Sequence, residues 1–206
     1  MNEKQKMRED TIEQIKMAII KNGGLIKTAQ LYEFNLDYRK IQSLVDEGVI
    51  QRVKNGYYGN SFEKKSEESI IAGLFPDAVL CLDSALFYHN YIENRPYCWH
   101  LAIDKNTSKS RFKLEYPLIQ AYYTEPEVLL MGTESMKLGE GSLRIYNKER
   151  LICDCLKFEN KLERGTLQQA IMAYIKEPEK DIQKLMEYAR ARKVILKVQN
   201  RIGAWL

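Results

Sequence analysis

Residues 23–58 read GGLIKTAQLYEFNLDYRKIQSLVDEGVIQRVKNGYY, and the order of local signals in them decides the fold. Asn22-Gly23-Gly24 ends a first helix, because glycine tolerates the left-handed conformation at a helix C-terminus. That helix is expected over about 10–21, with Ile12, Ile15, Ile19 and Ile20 at helical spacing and Asp10 or Thr11 as its cap. A second helix is expected over 27–33, with Ala29 and Leu31 turned inward. Asn35-Leu36-Asp37 is a turn, and Asp37 an N-cap for a third helix that stops at Gly48. Residues 49–53 and 57–58 are strand-like, and Asn55-Gly56 between them is a strong hairpin signal. Helix, turn, helix and hairpin in this order predict a winged helix-turn-helix.

In the third helix Ile41, Leu44 and Val45 form the expected buried face, bordered by Tyr38. Arg39, Lys40, Gln42 and Ser43 then point outward. In a helix-turn-helix that face meets base edges: arginine chelates guanine, glutamine chelates adenine and lysine neutralises phosphate. Arg52, Lys54 and Asn55 sit at or near the hairpin tip, within reach of the backbone beside the groove. Double-stranded DNA is therefore the expected partner. A solvated helix face is the blander reading of the same residues, and winged helices also bind proteins. Asp37, Asp46 and Glu47 dilute the positive charge.

Apolar residues make up 45% of the 206, ample for a packed core in one large or two small domains. No apolar run approaches the ~18 residues of a membrane span, and no signal-peptide pattern follows the N-terminus. A cytoplasmic location is expected, with Cys81, Cys98, Cys153 and Cys155 reduced. The net charge of +4 is unevenly placed: residues 1–60 carry +2, 61–149 carry −3 and 150–206 carry +5. Lys184, Arg190, Arg192, Lys193, Lys197 and Arg201 give the last part a possible second basic surface for phosphate or an acidic protein. A solvated helix face is its equal alternative.

The chain is read as α+β. Residues 1–60 form the winged helix-turn-helix, and residues 61–206 a second domain, mixed to about 147 and helical over 148–206. A polar linker is expected over 59–69. Short strands are expected at 77–82, 97–103, 119–124, 128–131 and 143–146, with a helix opened by Asp83 between the first two. The last four helices are expected at 148–156, 166–175, 180–191 and 194–206, punctuated by Gly165 and Pro178.

No catalytic motif emerges. There is no glycine-rich loop followed by lysine and no Gly-x-Ser-x-Gly elbow. Cys98 and His100, with Cys81 and His89, lack the tight paired spacings of zinc sites, and Cys153 and Cys155 fall on different helix faces. Asp83-Ser84 is better read as a cap than as a nucleophile pair. Phe87, Tyr88, Tyr91, Tyr97 and Trp99 are read as core aromatics, with base stacking as the alternative. No cofactor, no metal and no enzymatic activity are expected.

Three segments carry a family resemblance. Gly23-Gly24 through Thr28, Leu44-Val45, Gly48, Ile50, Arg52-Val53, Gly56 and Tyr58 form the first. Ser84-Ala85-Leu86-Phe87-Tyr88-His89 with Pro96 forms the second, and Ile145-Tyr146-Asn147-Lys148-Glu149-Arg150-Leu151-Ile152-Cys153-Asp154 the third. Leu185, Tyr188-Ala189 and Val194 close the pattern. Together they resemble the AbiEi-type antitoxins of bacterial abortive-infection toxin–antitoxin systems, over most of the chain. Leu151 departs from the pattern, where threonine is frequent. The resemblance implies a transcriptional autorepressor that binds inverted repeats upstream of its own operon. It also implies an antitoxin that counteracts a nucleotidyltransferase-type toxin without a stable complex. The second domain would carry neutralisation and help to bind DNA. The alternatives are a protein-interaction module without operator binding, or a nucleotide-acting enzyme.

Overall fold

The computed structural model describes residues 3–22, 24–60, 66–114 and 116–205. Gly23, residues 61–65 of the expected linker, and Leu206 at the end of the last expected helix lie outside the described residues. The architecture is mixed α+β with a helical C-terminal segment, and it divides into two compact units. Unit 1 comprises Met1–Pro76 with Lys137–Ser142, and unit 2 comprises Asp77–Met136 with Leu143–Leu206. No helix among the described residues is long and apolar enough to cross a membrane.

Unit 1 opens with α1 (Glu3–Lys21), which starts well before the expected Asp10. Thr11 therefore sits inside the helix, and its hydroxyl donates back to the Met7 carbonyl at 2.8 Å instead of capping. Ile15 and Ile19 are buried, whereas Ile20 is exposed. Next comes a strand absent from the sequence reading, β1 (Leu25–Lys27). Three residues are too few to show alternation, and pairing with a distant strand makes it. α2 (Thr28–Tyr32) buries Leu31 and leaves Ala29 exposed.

α3 (Tyr38–Asp46) has well-formed ends. The Asp37 carboxylate accepts from the Lys40 amide at 2.8 Å. At the other end the Val49 amide donates to Leu44 at 2.9 Å and the Gly48 amide to Val45 at 3.0 Å, with Gly48 at φ +70°. This is the Schellman pattern, which needs a left-handed residue there.

The chain then runs through β2 (Ile50–Lys54) and β3 (Tyr57–Asn60), joined at Asn55-Gly56 with Gly56 at φ +81°. β3 lies between β1 and β2, antiparallel to both, and a bulge falls between Arg52 and Lys54. Ile15, Ile19, Ile26, Leu31, Ile41, Leu44, Ile50 and Tyr58 make one core from all of these elements except the hairpin tip. α4 (Glu67–Leu74), capped by the Ser66 hydroxyl, completes the unit. The turn at residues 139–140 docks on it, with the Glu140 amide donating to the Ser69 hydroxyl at 3.2 Å.

Unit 2 contributes β4 (Val79–Leu80), α5 (Leu82–Tyr88), β5 (Trp99–Asp104), β6 (Ile119–Thr124) and α6 (Pro126–Leu129). These are followed by β7 (Thr133–Leu138) and β8 (Gly141–Tyr146), whose joined ends over Lys137–Ser142 are counted with unit 1, and by the helices α7 (Lys148–Lys157), α8 (Arg164–Ile175), α9 (Ile182–Ala191) and α10 (Ile195–Ile202). The strands form one sheet in the order β6-β5-β4-β8-β7, antiparallel at β4–β5 and parallel at β5–β6 and β4–β8. The strand expected at 128–131 is instead the end of α6 and a turn, because Pro126 fits the first turn of a helix. Cys81 occupies the N-cap position of α5 without a side-chain cap, so Asp83 lies within the first turn rather than at the cap.

α7 is buried on every side from Glu149 to Leu156, which makes it the central helix of the unit. Its charges meet inside the protein. The Asp154 carboxylate accepts from Arg150 Nε at 3.2 Å on one oxygen and from Arg192 Nε at 2.5 Å on the other. Arg150 is completely buried, lies 4.2 Å above the Tyr146 ring and donates to the carbonyls of Val128 at 2.6 Å and Met131 at 2.8 Å. One carboxylate thus ties α7 to the end of α9 and, through Arg150, to the turn after α6. Removing it strands two buried guanidinium groups. Asp154→Ala is expected to destabilise unit 2 by about 3–5 kcal/mol, read from the midpoint of urea unfolding; a shift within the scatter of surface variants would show the network to be dispensable.

Candidate nucleic-acid interface

Two apolar residues, Ile41 and Leu44, bury one side of α3 against the core of unit 1. The opposite side carries an open groove lined by Tyr38, Arg39, Gln42, Ser43, Asp46 and Glu47. Tyr38 is 59% exposed and does not border the core, a correction to the sequence expectation. Position 38 opens the helix, a turn before its first buried residue.

The polar groups on this face are not equally available. Gln42 Nε2 donates to Asp46 at 3.0 Å, and the Ser43 hydroxyl donates to Glu47 at 2.7 Å. Glu47 also takes a hydrogen bond from Arg8 of α1. The Ser43 hydroxyl first, and Arg8 after it, hold the Glu47 carboxyl below the usual carboxylate range. Lys40 donates to the Asn35 carbonyl at 3.2 Å, where Asn35 turns the chain at φ +57°. Arg39 makes no hydrogen bond or ion pair among the described residues and is exposed. It is the free cation of the face.

The hairpin adds a second set. The Arg52 guanidinium donates to the Asn55 side chain at 2.7 Å, and both residues are exposed at the tip. Lys54 is half-buried, with its ammonium 5.7 Å above the Phe75 ring. Register places Lys27, Tyr57 and Lys54 in one row across the sheet, and Lys27 lies 5.9 Å above the Tyr57 ring. The sequence reading missed Lys27. Its signal was a lysine directly before the start of α2, where it serves as N-cap residue.

The residues of the possible second basic surface differ in exposure and pairing. Arg192 is buried in the pair with Asp154, because a residue at the end of α9 turns inward to α7. Lys184 pairs with Asp181 at 3.3 Å. Lys197 and Arg201 share Glu159 at 2.8 and 3.5 Å, and Lys197 also caps the Leu156 carbonyl. Arg190 and Lys193 are exposed and make no ion pair among the described residues.

The residues weighed for catalysis have structural partners. Ser84 is buried and its hydroxyl accepts from the His100 amide at 2.9 Å. His89 bonds to the Tyr146 carbonyl at 2.7 Å. All four cysteines are buried free thiols, and burial pushes the Cys153 thiol up to about 12. No group of three or more metal-ligating side chains exists among the described residues. Of the aromatic cluster, Tyr88 and Trp99 stack at 6.2 Å, while Tyr97 is 89% exposed and leaves the core altogether. No protein-family model matches the chain, and no curated protein matches it.

Asp83 is the exception to this structural accounting. Burial, with the Glu163 carboxylate second, pushes its carboxyl up to about 6. A carboxyl whose native pKa exceeds its unfolded value of ~4 opposes folding when ionised. The penalty is therefore full at neutral pH and disappears as pH falls below that unfolded value. His100, lowered to about 4 by burial, acts in the opposite sense, losing stability as pH falls through the same window. Comparing variant with wild type at each pH isolates Asp83. Asp83→Asn is expected to stabilise the protein by about 1–2 kcal/mol at pH 7, after allowance for solvent screening, and to leave it unchanged near pH ~3.5. Urea midpoints at the two pH values measure this, and an equal gain at both would assign the effect to packing.

Proposed function

We propose that residues 3–60 are a winged helix-turn-helix and that the chain is a DNA-binding autorepressor. In this reading α3 enters the major groove, and Arg39, with Tyr38, Gln42 and Ser43 beside it, reads base edges. Lys40 approaches the backbone from the turn side, and Arg52, Lys54 and Asn55 hold phosphate beside the groove. The observation that carries the reading is an exposed, unpaired Arg39 on a helix whose other side is locked into the core. A hairpin carrying Arg52 and Asn55 follows it directly. Such a helix presents its N-terminal side chains in a fixed direction, which base readout requires.

The resemblance to the AbiEi-type antitoxins extends this proposal. The protein would bind inverted repeats upstream of its own operon and counteract a nucleotidyltransferase-type toxin, with the second unit carrying the neutralisation. Its place of action would be the cytoplasm, and it would have no catalysis of its own. Asp46 and Glu47 in the α3 groove favour one competing reading, a surface for a basic protein partner.

Gel-shift titration on the DNA upstream of the gene, at two salt concentrations and against unrelated DNA, separates the two. Phosphate contacts make DNA affinity fall steeply with salt. Arg39→Ala is expected to cost about 1–3 kcal/mol on the operator and to relax the preference at one base position. Arg52→Ala is expected to weaken binding to every sequence alike and to lower the salt slope by about one. Equal losses on operator and random DNA for Arg39→Ala would sink the base-reading role. Co-expression with the candidate toxin, scored by rescue of growth, tests the antitoxin half on its own.

A further inference from the structure

Unit 2 holds a polar cleft of about 760 Å³ that DNA binding does not use. That volume lies within the range of small-ligand sites. Asp83 of α5, His100 of β5, and Lys161 and Glu163 on the approach to α8 line it, together with the exposed Tyr97. One oxygen of Asp83, Oδ1, is enclosed and has no hydrogen-bond partner among the described residues. The other, Oδ2, lies 3.7 Å from His100 Nε2, too far for a hydrogen bond.

His100 sharpens the point. Only 6% of it is exposed, and its Nδ1 is engaged with the Tyr122 hydroxyl at 3.2 Å. With Tyr122 donating, the neutral imidazole carries its hydrogen on Nε2, which makes no hydrogen bond among the described residues. Burial keeps this ring neutral at physiological pH, so it brings no positive charge to Asp83. Lys161 does not supply one either, because its ammonium sits 5.2 Å above the Tyr122 ring and 5.3 Å above the Phe158 ring. Neither Asp83 nor Glu163 forms an ion pair with a lysine or arginine among the described residues. Arg95 also lines the cleft and lies 5.1 Å above the Trp99 ring. Asp83 thus faces the cleft without an ion pair to lysine or arginine among the described residues.

An enclosed carboxylate without a counter-charge is costly, and a cationic ligand removes the cost by completing the pair. A bare metal ion fits poorly, since Asp83 and His100 are two ligands where a zinc site uses three or four. Tyr97, standing almost free in solvent, offers the ring face that attracts organic cations. We propose that this cleft binds a small organic cation, an alkylammonium or guanidinium, with Asp83 as the anchoring carboxylate and Glu163 and Tyr97 as further contacts. The site lies within unit 2 and does not rest on the DNA-binding reading.

Isothermal titration of the full chain with agmatine, which carries an ammonium and a guanidinium, tests it. Inorganic phosphate and the uncharged 1-butanol serve as contrasts. Saturable binding of agmatine alone is expected, weakened at least about tenfold by Asp83→Asn and about threefold by Glu163→Gln. Glu127→Gln, on exposed α6, should leave it unchanged. Absence of saturable heat up to about 10 mM agmatine would overturn the proposal, as would affinity unchanged in both cleft variants. Saturable binding of phosphate instead of agmatine would also overturn it, by giving the cleft to anions through Lys161. Glu163 is exposed, so Glu163→Gln leaves packing intact and keeps the test valid even if Asp83→Asn were to misfold.

Discussion

Asp154 is where unit 2 is decided, because its carboxylate is shared by two arginines that reach it from different parts of the chain. Arg150 lies one helical turn before it on α7, and Arg192 comes from the end of α9. Desolvating three charges is expensive, and ion pairing alone barely offsets it. Additional hydrogen bonds make up the difference. Arg150 satisfies two carbonyls at the end of α6, groups that a helix C-terminus leaves without partners, and sits over the Tyr146 ring. The arrangement specifies as much as it stabilises: a shifted register of α7 would point Arg150 away from these carbonyls and leave charge stranded in the core. The same geometry explains the small residue nearby. Gly132 sits at φ +71° in the turn that Arg150 caps, and a Cβ there would come within 2.8 Å of the Arg150 side chain.

The rest of unit 2 follows from this centre. α7 is buried all round, and β5 is enclosed along almost its whole length. Enclosure on that scale forces polar groups to find partners. Ser84 meets the His100 amide, Tyr146 meets the Leu129 carbonyl, and His89 meets the Tyr146 carbonyl. Four enclosed polar atoms lack a hydrogen-bond partner among the described residues, namely Asp83 Oδ1, Arg150 Nη2 and the Tyr91 and Tyr174 hydroxyls, and of these only Asp83 Oδ1 belongs to a carboxylate. Leu82, just before it, is held at φ +43° while fully buried, a conformation that costs a branched residue about 1–3 kcal/mol. Strain and an unmatched polar atom thus fall on adjacent residues, in a molecule that satisfies most of its other buried groups.

How much of this was legible in the sequence depends on whether the signal was local. The ends of α3 were readable, since Asp37 and Gly48 act within a few residues of where they stand. The Asn55-Gly56 turn was readable for the same reason. β1 was not, because its three residues become a strand only through pairing with β3, some thirty positions away. The region 128–131 looked like a strand from its apolar run, and Pro126 overrode that by starting α6. Among the candidate site residues, exposure of Arg39 followed from helical periodicity. The inward turn of Arg192 did not, because it is fixed by Asp154, 38 residues earlier. Charge counts along the tail showed basicity and could not show that Asp181, Glu159 and Asp154 pair with four of its six candidate residues.

That distribution of charge constrains how the α3 face could recognise DNA. Gln42 and Ser43 each have one donor hydrogen engaged by Asp46 or Glu47, and each such exposed hydrogen bond given up to reach a base offsets about 0.5–1.5 kcal/mol of what is gained. Arg39 has nothing to release, so a bidentate contact from it keeps its full ~1–3 kcal/mol of discrimination. One such contact per copy falls short of the roughly 4–10 kcal/mol that separates specific from non-specific binding. Doubling it on an inverted repeat, with a second α3 one helical turn along the duplex, gives roughly 2–6 kcal/mol, which reaches the lower part of that range. Within the DNA-binding reading, the energetics of this helix therefore favour two copies on paired half-sites, in the same direction as the symmetry of an inverted repeat.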